Sequence, residues 1–315
     1  MKCCCDPLDP PPVARLNGLT VERRVIEVDG HRVAAEIHLP PDLADAGPPV
    51  VFLHGVLTSS GLVGELFDEP AAASWISLSL PGHFGGGFAA GTGRDDIDAA
   101  LYVRLVEGTL EQILGPRRVI LVGWSLGGFT ALAVTAAHPE RVAAVASLAG
   151  FAEPRFAGVV RVMSWLLRLP GAASLVRLGL WAASYLPRVF WFVALLTASN
   201  WGACLTREAK AAINDVWRRY RCHDPASLSL VLATLPKLDV GEPVRSITCP
   251  AWVASGSHDP VVPVREARRI AARLPQAEFR VYEGAGHMFF CEWPRFREHL
   301  AEWLEGVKRG LRSGA

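Results

Sequence analysis

The chain predicts an α/β protein: a doubly wound, mostly parallel sheet with a helical unit inserted between two of its strands. Three observations predict it. Short, wholly apolar runs such as Val50–Leu53 and Val142–Leu148 alternate with longer segments of helical apolar spacing, the pattern of buried parallel strands and their crossover helices. Between residues 151 and 236 the alternation stops, and four apolar segments of helical length follow one another. From Pro250 the alternation resumes. The predicted division is a tail at 1–18, a sheet unit at 19–150 and 237–307, a helical insertion at 151–236 and a tail at 308–315. Half of the 315 residues are hydrophobic, ample for one large core.

Residues 1–18 are rich in proline and are expected to be unstructured. Thr20–Val28 and Arg32–Leu39 partly alternate polar with apolar residues around Asp29-Gly30, a hairpin signal. Val50–Leu53 and Trp75–Leu80 read as buried strands. The glycines of Pro81-Gly82-His83-Phe84-Gly85-Gly86-Gly87 imply a loop that is either close-packed or mobile, and their spacing gives no phosphate-binding fingerprint. Asp95–Leu114 has helical spacing through Leu101, Leu105, Leu110 and Leu114, with Gly115-Pro116 as its stop. A strand from Val119, a sharp turn at Ser125 and a helix follow, and Val142–Leu148 is the next strand. The insertion's helices are expected at Val159–Leu169, Ala172–Leu186, Val189–Ala198 and Thr206–Tyr220. After the strand at Pro250–Gly256 come a helix at Arg265–Leu274, a strand at Phe279–Tyr282 and an amphipathic helix at Trp293–Val307.

A formal net charge of +1 gives no global field toward nucleic acid. The insertion differs from the whole: between Pro154 and Arg221 ten Arg and Lys residues stand against Glu208 and Asp215, a local +8. Its apolar segments are too short to span a bilayer, which needs about 20 residues. They are expected to pack on the core and line a pocket, or alternatively to make weak contact with an anionic membrane surface. The start of the chain shows no secretory signal, so a cytoplasmic location is expected. Cys3, Cys4 and Cys5 form a triplet without metal-ligand spacing, open to S-acylation or to no role. Cys204, Cys222, Cys249 and Cys291 are scattered.

The chemistry-bearing stretch is Gly123-Trp124-Ser125-Leu126-Gly127, set between strand and helix. That context makes it a nucleophile elbow, whose strained turn needs small neighbours, here Gly123 and Gly127. Ser125 would sit on a helix N-terminus, where unpaired N–H groups favour a developing oxyanion. One oxyanion donor is then the N–H of Leu126. A second is expected at Val56, after the strand end His54-Gly55, with His54 shaping that loop. A serine needs an imidazole to take its proton and a carboxylate to orient that imidazole. His287 in Gly286-His287 and Asp259 in Gly256-Ser257-His258-Asp259 follow late strands and supply both. Glu153 is the rival acid, His258 is expected to be exposed, and Asp224 and Asp239 are weaker candidates.

Together, in this order, His54-Gly55, the elbow, Gly256–Asp259 and Gly286-His287 resemble the α/β-hydrolase fold family over about residues 20–307. The resemblance implies a serine hydrolase with a helical cap, a triad of Ser125, Asp259 and His287, and no metal or organic cofactor. Two positions depart from the family's habit: Ser79, where Asp is frequent, and Phe84, where Gly is frequent. Serine at the elbow argues against a dehalogenase-like reaction, which would want aspartate. The expected substrate is a lipophilic ester, lactone or thioester. Carbon–carbon hydrolysis, acyl transfer, perhydrolysis and catalytically silent binding on this scaffold stay open, as do the oligomeric state and the opening of the cap.

Overall fold

The computed structural model describes residues 13–16, 19–40, 47–62, 74–169 and 171–313. The cysteine triplet and the rest of the first twelve residues lie outside them. The described strands are β1 (Val13–Leu16), β2 (Leu19–Val28), β3 (His31–His38), β4 (Val50–Leu53), β5 (Trp75–Ser79), β6 (Val119–Trp124), β7 (Val142–Leu148), β8 (Ala251–Gly256) and β9 (Ala277–Tyr282). The helices are α1 (Ala99–Leu114), α2 (Leu126–Ala137), α3 (Gly158–Leu166), α4 (Ala172–Tyr185), α5 (Pro187–Leu195), α6 (Trp201–Cys204), α7 (Arg207–Tyr220), α8 (Pro225–Thr234), α9 (Val264–Arg273), α10 (Phe289–Glu292) and α11 (Phe296–Ser313).

All the strands join one sheet in the order β1-β2-β3-β5-β4-β6-β7-β8-β9. From β5 to β9 the pairing is parallel; β1, β2 and β3 extend it as an antiparallel edge. The β2–β3 hairpin turns on Asp29 and Gly30, both at positive φ, as a two-residue turn matching strand twist requires. Strand β6 lies between β4 and β7, so the elbow stands mid-sheet. Alternate residues of the central strands feed two cores. Val51, Leu53 and Leu121 pack with Leu105 of α1 and Phe129 of α2, whereas Val50, Phe52 and Ile120 pack with Phe296 and Leu300 of α11.

Three expectations shift, and one open alternative is decided. Val13–Leu16 is a strand, not part of an unstructured tail: its backbone pairs antiparallel with β2. The last helix runs on to Ser313 instead of fraying after Val307, because Leu311 continues its apolar stripe onto the core. Helix α1 begins at Ala99, where Asp98 caps it by accepting from the Leu101 N–H; Arg94–Asp96 is a separate turn of 3₁₀-helix. The glycine-rich loop after β5 is close-packed, since a β-carbon on Gly86 would lie 2.6 Å from the Leu80 carbonyl oxygen.

The insertion is helical throughout, from α3 to α8. Arg219 of α7 fastens it to the sheet. Its guanidinium meets Glu36 of β3 at 2.9 Å, beside Arg23 at 2.7 Å, and lies over the Phe84 ring. Phe84 is therefore a buried contact under the insertion. Burial would raise the Glu36 pKa, but the guanidiniums of Arg219 and Arg23 outweigh it and hold the carboxyl below its usual range.

Candidate active site

Ser125 sits between β6 and α2 with φ 57° and ψ −116°, a conformation unusual for a residue with a β-carbon. Two glycines permit it. A β-carbon on Gly123 would lie 2.1 Å from the Gly127 carbonyl oxygen, closing the turn on itself. One on Gly127 would lie 1.9 Å from the Leu53 carbonyl oxygen, so that glycine lets α2 approach the end of β4. The Ser125 N–H donates to the Leu148 carbonyl at 2.8 Å, which locks the elbow to β7.

The structure brings Ser125, His287 and Asp259 together from the ends of β6, β9 and β8. The Ser125 hydroxyl lies 3.0 Å from His287 Nε2, and His287 Nδ1 lies 2.7 Å from Asp259 Oδ2. The other oxygen of Asp259 accepts from the N–H groups of Val261 and Val262 at 2.8 and 2.9 Å. A carboxylate so held takes Nδ1–H as its third donor, which leaves the Nε2 lone pair facing the serine. All three side chains are buried.

Leu126 is the first residue of α2, so its N–H has no partner within the helix. Val56 lies across the cleft in the loop after β4. The Gly55 carbonyl oxygen is held by three groups: the Thr58 N–H at 3.3 Å, the Thr58 hydroxyl at 2.8 Å and His54 Nδ1 at 2.7 Å. A trans peptide directs its N–H opposite to its C=O, so fixing that oxygen fixes the Val56 N–H. His54 Nε2 accepts from the Leu80 N–H at 3.1 Å, which makes Nδ1–H the donor and the ring neutral. Burial lowers the His54 pKa to about 4, against the opposing hydrogen bond to Gly55. Gly55 is needed beside the serine, since a β-carbon there would meet the Trp124 ring at 2.7 Å.

The rival acids are engaged elsewhere. Glu153 pairs with Arg155 and Arg273, and those partners hold its carboxyl below its usual range. Asp224 caps α8 through the N–H groups of Ala226 and Ser227, and Asp239 accepts from the Gly241 N–H. His258 is exposed. At the two departures from the family habit, Ser79 accepts from the Ser60 N–H at 2.9 Å and Phe84 takes Arg219, so both positions serve the loops beside the site.

Several site residues escape the sequence reading. Trp124 donates from its indole to the His287 carbonyl at 3.1 Å, and the His287 N–H donates to the Thr197 carbonyl at 2.8 Å. Buried Glu292 accepts from the N–H groups of Ser199, Asn200 and Gly286. Only the placement of Glu292 five residues after His287 could have signalled this, and that signal is weak. Above the serine lies an apolar cleft of about 1100 Å³, its open mouth included. Val160 and Met163 of α3, Phe190 of α5 and Ile213 of α7 wall it from the insertion side. No group of three or more His, Cys, Asp or Glu residues that could hold a metal occurs among the described residues.

Comparison with known proteins agrees with the fold. A family model described as the alpha/beta hydrolase fold matches residues 48–294. A pimeloyl-[acyl-carrier protein] methyl ester esterase of Chromobacterium violaceum is 31% identical over 264 residues, 82% of this chain and 95% of its own length. The protein of the same name from Xanthomonas campestris pv. campestris is 29% identical, over 79% of this chain and 91% of its own. Among solved structures, the enol-lactonase from Burkholderia xenovorans LB400 superposes with a TM-score of 0.68 at 18% identity, covering 90% of this chain and all of its own. The esterase RhEst1 from Rhodococcus sp. ECU1013 gives a TM-score of 0.68 at 22% identity, covering 91% and 99%. The chain belongs to the α/β-hydrolase fold family, as an ester-cleaving member with a helical cap.

Proposed function

We propose that this carboxylic-ester hydrolase works through an acyl-enzyme on Ser125. The observation that carries the reading is the continuous line from Asp259 through His287 to the Ser125 hydroxyl, set at the foot of an apolar cleft. The Ser125 oxygen attacks the substrate carbonyl while its proton passes to His287 Nε2. The oxyanion falls between the N–H groups of Leu126 and Val56, each donor being worth roughly 3 kcal/mol in comparable sites. Collapse expels the alcohol, protonated by His287. Water then attacks the acyl group and gives its proton to His287; the bond to Ser125 breaks, His287 returns the proton to the Ser125 oxygen, and the acid is freed. An apolar cleft suits a medium or long acyl chain, and the methyl esterases of carrier-bound acyl chains among the relatives point the same way. Turnover of p-nitrophenyl esters from acetyl to palmitoyl tests it. Rates should rise from acetyl to medium chains, and Ser125→Ala should lower kcat by about 10³-fold or more. No turnover of any ester by folded protein would move the reading to carbon–carbon cleavage or acyl transfer.

A second reading concerns the outer face of the cap. Helix α4 is inverted: Leu175, Leu178, Trp181 and Tyr185 form its exposed stripe, while Ala172, Leu180, Ala183 and Ser184 face inward. Twelve of the fourteen large apolar side chains exposed among the described residues lie in the cap, amid its excess of arginine. Apolar and aromatic side chains rimmed by cations suit an anionic lipid surface. No single described helix is long and apolar enough to cross a membrane, and α4 and α5 bend by 111° at their junction, so the contact is peripheral. Cys204 and Cys249 are free thiols, which supports a reducing, cytoplasmic setting. Sedimentation with phosphatidylglycerol vesicles should pull the protein down at low salt and release it at high salt, and Leu178→Ser/Trp181→Ser should abolish the binding. Failure to bind at low salt would sink this reading. So would a dimer in solution that the same variant splits.

A further inference from the structure

Across Phe156 from the apolar cleft lies a second cavity, and its lining is basic. Arg155, Arg161, Arg168, Arg265 and Arg269 surround it, together with Ser164. Helix α3 faces both spaces: Val160 and Met163 line the cleft, whereas Arg161 and Ser164, one turn apart, line the second cavity together with Arg168 in the turn after the helix. Phe156 lines both.

The cations are not all spoken for. Arg155 is paired with Glu153 and lies 3.8 Å from Glu266, and Arg269 is paired with Glu266. Arg161, Arg168 and Arg265 form no ion pair among the described residues. Ser164 is 6% exposed, and its buried hydroxyl has no hydrogen-bond partner among the described residues, although a helical serine can bond back to the preceding turn. A buried hydroxyl without a partner thus lines the same cavity as three exposed guanidiniums that form no ion pair, a lining short of an acceptor. A single carboxylate would satisfy one guanidinium. A phosphate ester, with two or three free oxygens and one or two negative charges, can satisfy two guanidiniums together with a hydroxyl donor.

We infer that this cavity binds the phosphate of an amphiphilic substrate whose acyl chain lies in the cleft beyond Phe156. The substrate role rests on the acyl-enzyme reading above; the binding site does not. The phosphate could come from a lysophospholipid headgroup or from a phosphopantetheine-type thioester carrier, since each carries an anionic phosphate ester.

Calorimetry on full-length Ser125→Ala protein tests the site without turnover. Decyl phosphate should bind at least about ten-fold more tightly than decanol, in line with charge-assisted pairing to arginine. Inorganic phosphate should compete with it. Arg161→Gln/Arg168→Gln should remove that preference while decanol binds as before, with an unchanged melting midpoint showing the fold intact. Ser164→Ala should remove part of it. Equal binding of decyl phosphate to parent and double variant overturns the site. Turnover by the Ser125 enzyme then separates the sources: a fall in kcat/KM in the double variant for lysophosphatidylglycerol or for decanoyl-phosphopantetheine identifies which one is used. A fall for neither overturns the substrate role, whatever becomes of the acyl-enzyme.

Discussion

At the scale of single residues the site depends on where peptide groups point. His54 illustrates this, since it lies outside the Ser–His–Asp line yet holds the Gly55 carbonyl from one side while Thr58 holds it from the other. His54→Ala removes one of those holds and the acceptor for the Leu80 N–H. The Val56 N–H would then sample other directions. Loss of a whole oxyanion donor costs about 10²–10³ in kcat, so a loosened one should cost about ten-fold, with KM changed far less. Steady-state kinetics on a medium-chain ester would show it, and an equal rise in KM alone would contradict it. Gly127→Ala is a harsher test: its β-carbon would press on the end of β4, immediately before His54. It should both destabilise the fold and cut activity. The residues of the proposed triad were legible because each sits in a local motif with a stated geometric need: small neighbours for Ser125, strand-end loops for Asp259 and His287. The supports of His287 were not legible. Trp124 reaches it across 163 positions, and Glu292 joins it to a cap segment more than 90 residues away. Such pairings involve backbone groups, which carry no residue signature.

At the scale of elements, the sheet was readable from apolar runs, and the helical insertion from the loss of alternation. Its attachment was not readable. The segment between α5 and α6 is stitched to the loop bearing His287. Thr197 takes the His287 N–H, Glu292 takes the N–H groups of Ser199 and Asn200, and Ser199 donates to the His258 carbonyl. Gly286 fits beneath this segment because a β-carbon there would lie 2.6 Å from the Ser199 N–H nitrogen. The cap and the loop bearing His287 are therefore joined along this rim by hydrogen bonds. Glu292→Gln replaces a carboxylate shared by three donors with an amide that has one oxygen. Each buried donor left unsatisfied costs about 1–3 kcal/mol. The variant should melt earlier and lose kcat, with short and long esters affected alike, because His287 and not the acyl pocket is disturbed. A loss confined to long esters would instead place Glu292 in chain recognition.

At the scale of the whole molecule, cap and core meet through groups that must stay in one protonation state. His54, His83 and His223 stand in series, with ring centroids 4.5 and 5.3 Å apart, joining two core loops to the turn after α7. Burial lowers the pKa of all three, and neighbouring histidines depress His83 and His223 further. Among the described residues neither His223 nitrogen has a hydrogen-bond partner, nor does His83 Nε2. The unfolded chain, with histidines near 6.5, binds protons that the fold refuses. Stability is therefore complete above about pH 6.5 and falls as pH drops toward the folded values, near 4 for His54. Each histidine contributes a slope of about 1.4 kcal/mol per pH unit within that window. Glu36 adds a later loss: its carboxyl is held below the usual range, so its contribution is present above about pH 4.5 and disappears as pH falls through its folded value. Acid should thus act in two stages, first on the histidine series and then on the Glu36 pairs with Arg219 and Arg23. Urea unfolding at pH 7.5 and pH 5 should differ by several kcal/mol in wild type. His223→Phe keeps an aromatic ring against Tyr220 and removes one titrating group, so the difference should shrink by about a third. Glu36→Gln leaves two partly buried guanidiniums short of their anion, and should destabilise at pH 7.5 by about 2–3 kcal/mol, below the roughly 3–5 kcal/mol of a fully buried pair because solvent still reaches both. It should also remove the later acid stage while leaving the first intact. If His223→Phe and wild type lose stability in parallel, the histidine series is not the source of the first stage.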